Sequence, residues 1–246
     1  MSRFAHDFTA DWARSMWSVY RIRWMIKRMR KITGFQILVG SFWFLASLVG
    51  GGAFGLALHA MLPASEYRAI LVIAGAGIGF LALHLAMVRL LLRLLPIPIG
   101  DIAPGSTAER NYHVYLVYIF LVVQPLTQSR LLPVPMSRIM NRALGAKIAD
   151  NTYTAGAILD PQFVTIGSST LLGNSSLLVP HVLEGARIAH FPIRIGSHVT
   201  IGAHAIIMAD VEIGDRVIVA MNSVVAKGTK IGDGEVWGGT PARRLS

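Results

Sequence analysis

The sequence predicts a chain in two parts, a membrane α-helical hairpin followed by an all-β parallel β-helix built from hexapeptides. Three observations predict it. Of 246 residues, 53% are hydrophobic and only 15% charged, and the mean hydropathy of +0.54 is too high for an ordinary soluble protein of this size. Two stretches, 32–64 and 69–88, contain no Lys, Arg, Asp or Glu, and each reaches the roughly 20 residues that an α-helix needs to cross a bilayer. From Ile148 onward an aliphatic side chain recurs every six residues, often followed by Gly.

Residues 1–34 read as a basic amphipathic helix. Lys plus Arg number 23 against 13 Asp plus Glu, and Arg21, Arg23, Lys27, Arg28, Arg30 and Lys31 crowd together with Trp17, Tyr20 and Trp24. Such a cluster beside an apolar run suits an anionic membrane surface, and no second basic motif favours nucleic acid. Residues 35–95 hold two spans, over 35–62 and 69–88, joined by a turn with Pro63, Glu66 and Arg68. A cleavable signal peptide would have a shorter apolar core and no second full-length run behind it. Arg89 and Arg93 follow the second span, so both outer ends of the hairpin are basic and the positive-inside rule places them, and the chain beyond, in the cytoplasm. Gly51 and Gly55, with Gly75, Gly77 and Gly79 opposite, would let the two helices approach closely. The GAGIG run follows no strand and is not read as a nucleotide loop. His59 and His84 lie in the apolar runs; two spans with no other internal ionisable pair give little support to a transporter.

Residues 96–145 form a membrane-proximal connector. The run 114–123 is too short to span, and fits a membrane-surface, re-entrant or buried core segment. A Pro-rich basic stretch follows, with a short amphipathic helix near 137–143 that Gly145 stops. Cysteine is absent, which excludes disulfides and a thiol nucleophile.

The β-helix occupies 146–246. Its beat runs Ile148, Thr154, Asp160, Ile166, Leu172 and Leu178, then resumes as Ile195, Ile201, Ile207, Ile213, Val219, Val225, Ile231 and Trp237. Six residues with one buried aliphatic and a turn make one flat of a three-sided coil, and successive coils stack as parallel strands. The step from Leu178 to Ile195 is 17 residues, one short of three flats, so part of 180–194 must leave the wall. An excursion from a rigid wall is a natural place for chemistry. This one carries His181, Glu184, Arg187 and His190.

IGSHVTIGAHAII, VEIGDRVIVAMNSVVAKG and GGTPARRL resemble the hexapeptide-repeat acyltransferases, over roughly residues 144–246. The stretch from RALGAKI to VTIG, followed by HVLE, is similar to the terminal membrane-linked part of poly-lysine-synthetase-type proteins. The resemblance implies a left-handed coil, an exception to the right-handed crossover rule, and a homotrimer with the donor site between subunits. It implies that a loop histidine just before the strand returns is the general base, which points to His181. Imidazole suits that role near neutral pH, and Glu184 is the carboxylate expected to orient it. His190 is the alternative base, while His198 and His204 are expected on exposed turns. For the acyl-CoA donor, the matching positions are Ala203 and Ala220 in the wall, Lys227 after the last regular flats and Arg243 in the GxPAR motif, with Thr240 where Asn is common. Gamma-type carbonic anhydrases share the coil but bind zinc through histidines five apart; TIGAHAIIMAD lacks the second, so no metal is expected.

The expected protein is thus a bacterial inner-membrane acyltransferase, its β-helix in the cytoplasm, moving an acyl group, most readily acetyl from acetyl-CoA, to a hydroxyl or amine. Attachment to the membrane makes a lipid-linked glycan, nucleotide sugar or other envelope precursor the expected acceptor. The competing expectation is a trimeric β-helix that has lost catalysis and serves as scaffold for an envelope synthase.

Overall fold

The computed structural model describes residues 31–129 and 133–246. The basic aromatic cluster, apart from Lys31, lies outside them. Helix α1 (Gly34–Met61) starts with a reciprocal cap: Thr33 accepts from the Gln36 amide, and the Gln36 side chain accepts from the Thr33 amide. A tight turn leads into α2 (Arg68–Leu94), which runs back along α1. Their contact is set by small residues: a Cβ at Gly51 would lie 2.6 Å from Cβ of Phe80, and one at Gly55 2.8 Å from Cβ of Ala76. Both helices are long and apolar enough to cross a membrane by length and composition, and only 17% and 6% of their most apolar windows are buried.

Helix α3 (Thr107–Leu121) is capped by the Ser106 hydroxyl, which accepts from the Glu109 amide. The run 114–123 falls largely within it as a buried core piece, one of the alternatives the sequence allows: Tyr112, Tyr115 and Tyr118 are buried against Val88 and Leu91 of α2 and Ile188 beyond. The Tyr118 hydroxyl donates to the His84 carbonyl and lies 3.3 Å from the Ser47 hydroxyl, which fastens α3 across both long helices. Short helices α4 (Val123–Gln128) and α5 (Val134–Ala143) complete the connector.

The rest is a three-faced stack of short parallel strands. The first face aligns Ile148, Ile166, Ile195, Ile213 and Ile231; the second Thr154, Leu172, Ile201, Val219 and Trp237. These match the six-residue beat. The third face aligns Ile158, Leu178, Ile207 and Val225, which corrects the beat at one point. Ile158, and not Asp160, fills the wall in the first coil. The chain has then turned its corner two residues early, Asp160 adopts a φ of +45° and the surplus is taken up by a 3₁₀ turn at Pro161–Phe163. The aliphatic interior is continuous from Ile148 to Ile231, and coils stack so closely that a Cβ at Gly202 would fall 2.6 Å from the Ala220 carbonyl carbon. After Val236–Gly239 the chain reverses and Ala242–Arg244 pairs antiparallel to it.

Candidate active site

The short count after Leu178 is absorbed by a β-hairpin. His181–Glu184 pairs antiparallel with Arg187–His190 around a turn whose Gly185 has φ +60°, and His181 sits directly opposite His190. The outer edge of the hairpin is covered by Gly100–Asp101, paired antiparallel to His190 and Ala189. Arg187 bonds both oxygens of Asp101, at 2.6 and 3.2 Å, and this guanidinium holds the Asp101 carboxyl below the usual carboxylate range. The hairpin is therefore a pinned extension of the connector and the coil together.

Asp160 and the hairpin leave the same corner, the one after the third face, in successive coils. This brings Oδ2 of Asp160 within 2.6 Å of Nδ1 of His181. The carboxylate side chain is 5% exposed and the imidazole 19%. An ionised carboxylate only accepts, so a neutral ring paired with it has its proton on Nδ1 and its lone pair on Nε2. The arrangement can take a proton at Nε2 and stabilise the resulting imidazolium. Glu184, expected to be that carboxylate, is not. It stands three residues along the strand from His181, on the order of 10 Å at strand spacing, and its carboxylate is engaged by Lys227 and lies 3.9 Å from Arg187. Asp160 was missed because it falls on the beat; the available signal was a carboxylate where every wall position calls for an aliphatic.

Beneath the pair lies a layer of buried aromatic rings. His190 is fully buried, stacked on Phe163 at 4.9 Å and meeting Tyr112 edge-on at 4.5 Å. Burial pushes its pKa down to about 4, against the opposing pull of Asp160, so it is neutral near neutral pH. The Tyr115 hydroxyl donates to Gln162, two residues from Asp160, and burial together with the Asp160 charge raises its pKa well above the ordinary tyrosine value. His198 and His204 occupy exposed turn positions with φ +59° and +60°, as expected.

The donor-side residues fall into two groups. Ala203, Ala220 and Arg243 line the corner after the second face: the Asn222 amide donates to the Ala203 carbonyl, the Ala220 amide to Trp237, and Arg243 pairs in register with Gly238, whose Cβ would lie 3.3 Å from that of Ala220. Lys227 lies at the next corner, above the hairpin, where it meets Glu184. Within one chain the third face, about 10 Å of strand, separates the Ala203 column from the His181 pair.

Residues 192–227 match the Bacterial transferase hexapeptide (six repeats) family. The chain is 29% identical over 158 residues to YvoF of Bacillus subtilis, provisionally an acetyltransferase by its name, covering 58% of this chain and 88% of that protein. It is 36% identical over 93 residues to galactoside O-acetyltransferase of Escherichia coli, covering 35% of this chain and 45% of the relative. It is 27% identical over 106 residues to delta-poly-L-ornithine synthetase of Acinetobacter baumannii, covering 42% of this chain but only 8% of the relative. The chain thus carries a hexapeptide-repeat domain with acetyltransferase homologues, and a synthetase relative in keeping with the second resemblance.

Proposed function

We propose that the chain is a membrane-bound acetyltransferase that moves an acetyl group from acetyl-CoA to a hydroxyl or amine of an envelope acceptor on the cytoplasmic side. The observation that carries this reading is the His181–Asp160 pair, released from the wall at the corner where the coil miscounts. Nε2 of His181 takes the acceptor's proton as its oxygen or nitrogen attacks the thioester carbonyl. The tetrahedral intermediate then collapses, the C–S bond breaks, and the imidazolium returns the proton to the departing CoA thiolate. Asp160 holds the ring in the Nδ1–H tautomer and offsets its charge in the protonated state.

CoA would thread along the wall at Ala203 and Ala220, where small residues leave room for the pantetheine amides, with Arg243 and Lys227 meeting phosphates. Because the third face separates Ala203, Ala220 and Arg243 from His181 in one chain, while Lys227 stands at the His181 corner, the complete site needs a second copy; a left-handed homotrimer with sites between subunits supplies it. α1 and α2 would span the membrane and hold the coils beneath it.

Calorimetric titration of the detergent-purified chain with acetyl-CoA tests the donor site. Saturable binding is expected, weakened about ten-fold in Arg243→Ala and in Lys227→Ala, the loss of a charged hydrogen bond to phosphate. An absence of saturable binding would contradict the acyltransferase reading in favour of a scaffold.

A further inference from the structure

An apolar groove of about 600 Å³ opens where α1, α2, α3 and α4 meet, walled by Phe44, Gly77, Phe80, Leu81, Leu121 and Leu126. Gly77 differs from the other glycines of its helix that the sequence groups with it. A Cβ at Gly79 would strike Phe54 at 2.9 Å, and one at Gly75 would run into Leu58, whereas one at Gly77 would have no heavy atom within 4 Å. Helix packing therefore accounts for Gly75 and Gly79 but not for Gly77, whose missing side chain contributes space to the groove.

The groove is aligned with the reacting pair. α2 and α3 run antiparallel: Leu81 and Leu121 share the groove, His84 stacks on Tyr118 at 4.2 Å, and Val88 packs with Tyr115 in one core. Tyr115 in turn bonds Gln162 beside Asp160. From Leu81 to Arg89 is eight residues, about 12 Å of helix. There the Arg89 guanidinium lies beside Gly145 and Gln162, since a Cβ at Gly145 would come within 2.8 Å of Nη1 and 3.1 Å of Cβ of Gln162. Arg89 makes no ion pair among the described residues. An open apolar cleft on two helices long and apolar enough to span a membrane, a cation about one headgroup further on, and the proposed general base beyond it form the profile of a single amphiphile.

The geometry points to an acceptor that is itself a membrane lipid or a lipid-linked glycan, its hydrocarbon tail in the groove at Gly77, its phosphate at Arg89 and its hydroxyl presented to His181. This rests on the acetyl-transfer reading above and adds the substrate class. The helical hairpin then binds substrate as well as anchoring the coil.

The test uses the full chain in nanodiscs made from inner-membrane lipid extract, with radiolabelled acetyl-CoA, and measures label partitioning into chloroform. Wild type should label the organic phase, and Gly77→Phe, which fills the groove while improving helix propensity, should reduce that label about ten-fold or more with acetyl-CoA affinity within two-fold of wild type. Leu121→Trp, approaching from the opposite wall, should act in the same direction. A phosphatidylglycerol carrying a tail diazirine should crosslink to the groove in wild type and not in Gly77→Phe. Label confined to water-soluble acceptors, or organic label undiminished in both variants, would overturn the lipid acceptor while leaving acetyl transfer intact. Wild-type protein that fails to bind acetyl-CoA would instead remove the acetyl-transfer reading on which the proposal rests.

Discussion

The regular coils from Ile193 to Trp237 and the corner beneath them at 158–163 and 180–191 are folded from the same six-residue unit, yet they spend their side chains differently. In the regular coils many backbone amides are taken by the neighbouring coil, as Gly196 by Ile213, Gly202 by Val219 and Gly214 by Ile231, and the inward residues are packed aliphatics apart from Ser223 and the partly buried Trp237. Nothing titratable can be accommodated there without an unpaired buried charge. At the corner, a shift of two residues before Asp160 and a short count after Leu178 each release a segment from the wall, and the two segments meet at 2.6 Å. The repeat supplies rigidity by saturating itself, and the paired imidazole and carboxylate sit where it is broken.

Three substitutions sharpen that contrast, in decreasing order of effect. His181→Ala should reduce acetyl transfer in membranes by about a hundred- to ten-thousand-fold, the usual contribution of a general base, with acetyl-CoA binding retained; acetylation of envelope material measured by mass spectrometry reads the loss. Ile201→Ala, in the middle of a regular coil, should do the reverse. It opens a cavity costing about 2–5 kcal/mol, seen as a lowered unfolding midpoint, with turnover per folded molecule unchanged. Exposed turn residues should matter least: His204→Asn keeps a side chain that tolerates positive φ and should change stability by no more than about 0.5 kcal/mol.

A pH profile separates the two regions again. The His190 ring titrates near 6.5 when unfolded and at about 4 when folded, because burial disfavours its charged form. Between those values the unfolded chain binds more protons, so the contribution is complete above about 6.5 and is lost as pH falls toward 4, by up to about 3 kcal/mol. His190→Phe should flatten this acid limb in chemical denaturation, whereas Ile201→Ala should lower the whole curve without changing its slope.

Much of this architecture is legible in the sequence because it is local. The beat places the first two faces residue by residue, the missing residue between Leu178 and Ile195 marks the hairpin, and the charge-free runs give both long helices within a residue or two of their observed starts, at Gly34 and Arg68. What escaped depends on contacts between distant segments. Asp160 sits on the beat, and only the third face, with Ile158 in the wall, reveals that it has left it. Glu184 looks like a partner for His181 by spacing, but strand alternation carries it away to Lys227. The cover strand Gly100–Asp101 and the burial of α3 against the hairpin join residues more than sixty positions apart, and no periodicity announces them.

In the proposed mechanism Asp160, brought to the corner by the broken repeat, has the role of setting the tautomer of His181. That role is tested most directly by initial rates of labelled acetyl transfer from acetyl-CoA in membranes carrying Asp160→Asn or Glu184→Gln at matched expression. Asp160→Asn should lose about a hundred-fold or more in rate with acetyl-CoA affinity intact, since an amide no longer enforces the Nδ1–H tautomer or offsets the imidazolium charge, while Glu184→Gln stays within a few-fold of wild type. The opposite pattern, a near-normal Asp160→Asn and a disabled Glu184→Gln, would contradict the account.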